Sequence, residues 1–148
     1  MKHAVKGLLI LLIFSVTAFT GCKLDPPIIP GYAKGEIKYT ADGNNTTINK
    51  NVTFDIATDE DFPNGGITIV GGAGVSDQFS IIAEGKGTGS FPIGLIIIGN
   101  YAGSAGTMVV TKNDGKNLEG TFTSTDLTDL AGGGTYQQVN GTFKISKN

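Results

Sequence analysis

The sequence predicts an all-β fold, an antiparallel β-sandwich or small barrel of about seven to nine short strands, and of the two we favour the sandwich. From residue 34 onward apolar residues alternate with polar ones, as where Val52, Phe54 and Ile56 are separated by Thr53 and Asp55. Turn-forming residues interrupt this alternation about every 8–12 positions. Glycine, at 23 of 148 residues, is spread between the apolar runs, which is typical of turns and bulges.

Two turns are predicted near the start of this domain. Asp42, Gly43 and Asn44 tolerate positive φ, so they are expected to join two strands of a hairpin. Lys50 interrupts the apolar face that Ile48 would share with the strand after it. It therefore lies either at a sheet edge or in a turn, Asn49-Lys50-Asn51, that divides the segment into two strands.

Three later segments carry further signals. The run from Ile93 to Ile98 is apolar almost throughout, which is typical of a strand that is buried on both faces or lies centrally in a sheet. Asn113-Asp114-Gly115 is the clearest hairpin signal in the chain. Thr125 to Ala131 is interpreted as one helical turn that Gly132 ends.

A short internal repeat lies near the C-terminus. Residues 118–122 read LEGTF and residues 139–143 read VNGTF. In each copy the glycine and the phenylalanine fall on one face of a strand and the threonine on the other. We expect the two strands to pair, with the glycine of one copy making room for the phenylalanine of the other.

The chain begins with a segment of another kind. Lys2 and Lys6 precede an apolar stretch from Leu8 to Phe19, which is shorter than the ~20 apolar residues that cross a bilayer as a helix. This pattern is typical of a signal peptide. Further along, Pro26, Pro27 and Pro30 fix the backbone angles, so an extended tether is expected before the β domain.

Thr20-Gly21-Cys22, directly after the apolar stretch, resembles the lipobox of bacterial lipoproteins, with Phe19 where leucine is typical. The resemblance implies cleavage after Gly21 and attachment of a diacylglyceryl group, with palmitate among its acyl chains, to Cys22. The chain would then comprise a signal peptide (1–21), a lipidated cysteine with its tether (22–33) and an all-β domain (34–148). The alternatives are a secretory signal that leaves a free thiol and an uncleaved membrane helix.

Sorting signals and the C-terminal repeat extend this resemblance. Lys23 follows the cysteine where aspartate would retain an enterobacterial lipoprotein in the inner membrane, and Asp25 follows Leu24. A lysine followed by acidic residues is similar to the surface-export signal of Bacteroidota. With the ending NGTFKI, the chain resembles small uncharacterised outer-membrane lipoproteins of Bacteroidota. The resemblance implies an all-β domain that a lipid holds on the outer membrane, with display at the cell surface as a further expectation.

Composition excludes several classes of function. The chain after Gly21 has nine lysines and thirteen acidic residues, a net charge of −4, and no histidine, arginine or tryptophan. Without a basic cluster, binding to nucleic acid is not expected. Without histidine, a Ser-His-Asp or Cys-His catalytic arrangement and the common zinc sites are not expected either, so we predict no enzyme, no cofactor and no resident metal.

Three features of the sequence are candidate sites. The acidic group Asp55, Asp59, Glu60 and Asp61 offers oxygen ligands of the kind Ca²⁺ prefers, with a solvated loop as the alternative. A second group, the carboxylates of Asp77 and Glu84, would be the acid and base of a hydrolase if they converged, with surface solvation as the alternative.

Tyr101, in a glycine-rich loop, is the candidate for an exposed aromatic platform that binds a ligand, with packing as the alternative. Taken together, the residues predict a non-catalytic, membrane-anchored lipoprotein that recognises a protein or glycan partner. The alternative is a structural envelope component that assembles with copies of itself, and the remote alternative is a carboxylate-dependent hydrolase.

Overall fold

The computed structural model describes residues 34–58 and 60–148, and within these ranges the chain forms ten β-strands and no α-helix. The all-β prediction is therefore confirmed. The predicted signal peptide, Cys22, the tether and Asp59 lie outside the described residues. The strands are β1 (Lys34–Ala41), β2 (Asn44–Ile48), β3 (Thr53–Ala57), β4 (Gly66–Gly71), β5 (Phe79–Glu84), β6 (Gly89–Ile98), β7 (Tyr101–Gly103), β8 (Gly106–Asn113), β9 (Asn117–Asp129) and β10 (Thr135–Ser146).

All ten strands belong to one antiparallel sheet. Nine of them follow one another in the order β2-β1-β10-β9-β7-β6-β5-β4-β3. β8 pairs with β6 and β9, the same two neighbours that β7 has, so β7 and β8 lie end to end between them. The ten strands therefore occupy nine positions across the sheet, and their number is one above the predicted range of seven to nine. At the break between β7 and β8, the hydroxyl of Ser124 donates a hydrogen bond to the carbonyl of Ala105.

The two edge strands of the sheet are consecutive in the chain. Only residues 49–52 separate β2 from β3. In a flat sheet, nine positions would hold the two edges about 38 Å apart, since strands are spaced ~4.8 Å. The five Cα–Cα steps from Ile48 to Thr53 span at most about 19 Å. The sheet therefore curls around its core, which fits both the sandwich and the small barrel.

The connection between the edges is a turn, which decides between the two interpretations of Lys50. Asn51 adopts a positive φ of 53°. The carbonyl of Lys50 accepts a hydrogen bond from the amide of Gly72 at 2.9 Å, and the Asn51 side chain donates to the Gly72 carbonyl at 3.1 Å. The predicted hairpins are confirmed as well, because β1 and β2 meet at Asp42-Gly43, and β8 and β9 meet after Asn113.

One face of the curled sheet forms the core. β6 lies inside the sheet between β5 and β7, as the apolar run predicts. From Leu95 to Ile98 its side chains alternate between half-buried and buried, whereas Gly89, Ser90, Pro92 and Gly94 are exposed. The rings of Phe79 and Phe122 lie 5.4 Å apart in the middle of the core. Among described residues, the largest side chains that are fully buried are Phe54, Phe79, Phe122, Ile37, Ile67, Ile69, Ile81, Ile96, Met108, Leu118, Leu127 and Ile145.

The two copies of the repeat pair as expected. In the β9–β10 register, Gly141 lies opposite Phe122 and Gly120 lies opposite Phe143. A Cβ atom added at Gly141 would overlap the ring of Phe122, and one added at Gly120 would lie 2.6 Å from Cζ of Phe143. Each ring thus fills the space that the opposite glycine leaves, and the prediction is confirmed.

The predicted helical turn from Thr125 to Ala131 is wrong. β9 continues as a strand to Asp129, paired with β10 on one side and with β7 on the other. Leu127 is fully buried in the core. Pairing on both sides and burial of this leucine outweigh the local preference.

No helix in the described ranges has the length and hydropathy that a membrane span requires.

Candidate functional site

A shallow groove of about 560 Å³ lies on the outer face of β2, β1, β10 and β9. Its volume lies within the ~300–1,000 Å³ that is common for ligand sites. Threonine and asparagine dominate its lining. The lining residues are Lys38, Tyr39, Thr40, Asn45, Thr46, Thr47, Thr121, Phe122, Thr123, Asn140, Gly141 and Thr142.

Strand register arranges the outward side chains in two rows that cross all four strands. The first row, in spatial order, is Asn45, Thr40, Asn140 and Thr123. The second row is Thr47, Lys38, Thr142 and Thr121. Neighbours within a row are about one strand spacing apart, ~4.8 Å. We call this surface the threonine groove.

The polar groups of the threonine groove are largely available to a ligand. The Thr40 hydroxyl donates to Asn45 Oδ1 at 2.5 Å. In the part of the chain that the structure describes, the side chains of Thr121, Thr123 and Thr142 are exposed and make no hydrogen bond. Each hydroxyl can both donate and accept, and each threonine presents a methyl group beside it.

Charge in the groove is close to balanced. Among the described lining residues Lys38 alone is charged, and its Nζ lies 2.7 Å from Oε1 of Glu36 on the same strand. Both side chains are exposed, so this ion pair adds little to stability. It does place a carboxylate beside the ammonium group, which makes the surface better suited to a neutral ligand than to an anion.

Packing beneath the groove fixes its floor. Gly141, in the middle of β10, has no side chain, and the Phe122 ring packs against it from the core side. A Cβ atom at Gly141 would also lie 2.6 Å from the carbonyl oxygen of Lys38. The repeat that holds the core together therefore also positions the backbone of the groove.

Tyr101 is not a free aromatic platform. Its ring stacks on Tyr136 with the centroids 4.0 Å apart, and both rings pack against the core. Burial, reinforced by Tyr101, raises the pKa of the Tyr136 hydroxyl above its ordinary value. Of the two interpretations of Tyr101, these contacts agree with packing, and both tyrosines are half-buried.

The acidic group does not converge within the described residues. Asp55 is exposed on β3 and lies 4.0 Å from Nζ of Lys147, while Glu60 and Asp61 are exposed in the following loop. Asp59 lies outside the described residues. In ranges 34–58 and 60–148, no three His, Cys, Asp or Glu side chains are placed to hold a metal ion together.

Asp77 and Glu84 do not form the carboxylate pair of a hydrolase. Glu84 is the last residue of β5, whereas Asp77 lies two positions before its first residue. At ~3.3 Å per residue, the five steps from Phe79 to Glu84 alone span roughly 17 Å. Glycosidase carboxylates are about 5–9.5 Å apart. The Asp77 carboxylate instead closes a turn, because it accepts hydrogen bonds from the amides of Ala73 at 2.9 Å and Gly74 at 2.7 Å. The Ala73 bond is the main reason that the pKa of Asp77 is lowered.

Sequence reasoning did not predict the threonine groove. The signal that was available is the alternation in residues 121–125, TFTST, which places three threonines on one face of β9. The remaining lining residues come from segments up to about a hundred positions away. Only the pairing of β1 with the C-terminal strand β10 brings them together.

A comparison with models of protein families finds no match for this chain, and a comparison with curated proteins finds none that is similar.

Proposed function

We propose that the chain is a non-catalytic lipoprotein, anchored to the outer membrane through Cys22, whose β domain recognises a neutral glycan in the threonine groove. The observation that carries this proposal is the pair of polar rows across four strands. Hydroxyl and amide groups pair with sugar hydroxyls in both directions, while the threonine methyl groups contact the C–H faces of the rings.

The groove is tested by the detergent-extracted, full-length protein on an array of neutral and acidic glycans. We expect Thr121→Val and Thr142→Val, which remove a hydroxyl and keep the shape, to weaken binding of a neutral glycan by about tenfold each. Thr125→Val is the matched control, because Thr125 is exposed on the same strand and lies outside the groove. Equal loss in the control, or no neutral glycan bound by the wild-type protein, would contradict the proposal.

The anchor is tested separately. Membrane fractions from cells that express the wild-type chain are expected to contain the protein with incorporated palmitate, since two or more acyl chains give stable attachment. Cys22→Ala is expected to lose the label and to leave the membrane fraction. Persistence of both label and membrane association in this variant would show that another residue or segment holds the chain.

A second candidate function is a structural envelope component that assembles with copies of itself. The observation in its favour is the edge strand β2, which among the described strands pairs with β1 alone. Its residues Asn44 to Thr47 are exposed.

A further inference from the structure

The two edge strands of the sheet differ in how their unpaired sides are protected. Natural proteins protect sheet edges with charged residues, proline, bulges or a covering segment. β3 has such protection, because it carries Asp55 and lies against the end of β10. Nζ of Lys147 is 4.4 Å from the centre of the Phe54 ring and 4.0 Å from Asp55.

β2 has none of these features within the described chain. Its sequence, Asn-Asn-Thr-Thr-Ile, contains no charged residue and no proline. Near Thr46 and Thr47, a cleft of about 220 Å³ lies between Asp77 on one side and the strand with its following turn on the other. Among the described residues, the backbone N–H and C=O groups on this side of β2 have no strand partner and no other backbone hydrogen bond, so they can pair with another strand.

We infer that β2 pairs antiparallel with β2 of a second copy of this chain, which makes a closed dimer with one sheet running through both molecules. A two-fold axis through Thr46 places Thr46 opposite Thr46 and Asn45 opposite Thr47, and no like charges meet in that register. Threonine and asparagine pairs of this kind favour cross-strand contact. The same operation on β3 would place Asp55 opposite Asp55, which is unfavourable.

The use of one edge limits the assembly to two copies. A two-fold contact uses the same patch on both molecules and closes on itself, whereas a contact between different edges would propagate. The protected edge of β3 leaves no second site for growth. The pairing therefore limits self-assembly to a dimer. It also places Asn45 and Thr47 of one copy, which lie at the rim of the threonine groove, beside the same residues of the other copy.

The pairing of two short strands buries little surface compared with the ~1,200–2,000 Å² of standard interfaces. It rests on the proposed anchor at Cys22, because attachment to one membrane raises the effective concentration of one copy around another. The dimer is therefore expected in membranes and is expected to dissociate on dilution in detergent.

The test is oxidative cross-linking in intact cells that express the full-length chain with Thr46→Cys and are labelled with palmitate. A cross-linked species of twice the chain mass is expected, since directly opposite residues have Cβ atoms about 4.5–5.5 Å apart. Thr125→Cys, exposed on the inner strand β9, is the control for random collision and is expected to remain a monomer. The wild-type chain controls for any cross-link through Cys22.

Charge variants in the Thr46→Cys background separate pairing from a general loss of structure. Asn45→Lys with Thr47→Lys places lysine opposite lysine twice, and we expect about fivefold less cross-linked dimer. Asn45→Asp with Thr47→Lys places opposite charges across the same contacts, and the dimer is expected to persist. A loss in both variants would show that the register is wrong.

Three further outcomes overturn the proposal. Palmitate-labelled protein that stays monomeric with Thr46→Cys would disprove the pairing and leave the anchor intact. A cross-link to a protein of another mass would show that the edge binds a different partner. Absence of the palmitate label would disprove the anchor, and with it the pairing that depends on it.

Discussion

The two faces of the β9–β10 pair differ in how tightly their residues are packed, although residues of the two faces alternate along the same strands. On the inner face, Phe122 and Phe143 each fill the space opposite a glycine, and a Cβ atom at either glycine would overlap its surroundings. On the outer face, Thr121 and Thr142 are exposed and make no hydrogen bond within the described chain. Stability therefore depends on every second residue, and the intervening positions are available for recognition.

The largest expected effect comes from the inner face. Phe122→Ala removes a ring that is 1% exposed and that contacts both Phe79 and Gly141. We expect the free energy of unfolding to fall by about 3–5 kcal/mol, measured by urea denaturation. Thr123→Ala, at the next residue and on the other face, is the control and is expected to change it by less than about 0.5 kcal/mol. Similar losses in both variants would contradict the division between the faces.

Gly141→Ala tests the fit between glycine and ring. The added methyl group overlaps Phe122 and lies 2.6 Å from the Lys38 carbonyl oxygen. We expect a loss of about 1–3 kcal/mol in the free energy of unfolding. The loss is expected to be smaller in a Phe122→Leu background, because the smaller side chain relieves part of the overlap, with a coupling energy of about 0.5–3 kcal/mol. Additive losses would show that the two residues do not interact.

Acid sensitivity is expected to come from the turns and not from the inner face. Among described residues, Ser124 is the one buried polar side chain, and its hydroxyl does not titrate in the acid range. At the β8–β9 turn, the Asn117 side chain donates to the carboxylate of Asp114 at 2.9 Å, which lowers the pKa of Asp114 to about 2. The amides of Asn117 and Lys116 also donate to it.

The direction of the pH effect follows from this shift. A carboxyl group whose pKa is lower in the folded state stabilises the fold fully above its unfolded pKa of 3.8, and the contribution is lost as the pH falls through about 2. The urea midpoint of the wild-type chain is expected to fall over this range. Asp114→Ala is expected to lower the midpoint at pH 7 and to reduce its change between pH 4 and pH 2. If the urea midpoint of the variant falls between pH 4 and pH 2 as much as that of the wild type, the effect comes from other carboxylates. Asp77 is one of these, because its pKa is also lowered.

The sequence predicts more of the inner face than of the outer one. Period-two alternation, the turn residues Asp42 and Asp114, and the Gly-Phe repeat all have local signatures, and the strands and their pairing follow from them. The helical turn predicted at residues 125–131 was wrong because pairing holds this segment extended on both sides, with β10 directly after it in the chain and with β7 about 26 positions earlier. The threonine groove depends on long-range pairing in the same way, since exposed threonines carry no pattern that distinguishes a binding surface from a solvated one.

The smallest effect on stability is expected from the outer face. Thr142→Val changes an exposed residue next to Gly141, keeps the shape of the side chain and leaves the core untouched. The free energy of unfolding is expected to stay within about 0.5 kcal/mol of the wild-type value. Gly141→Ala, one position earlier, adds a single methyl group and is expected to cost several times more, so the two neighbours form a matched pair in the same denaturation experiment. A large loss from Thr142→Val would show that the hydroxyl has a structural partner, and the threonine groove would then not be a surface free for recognition.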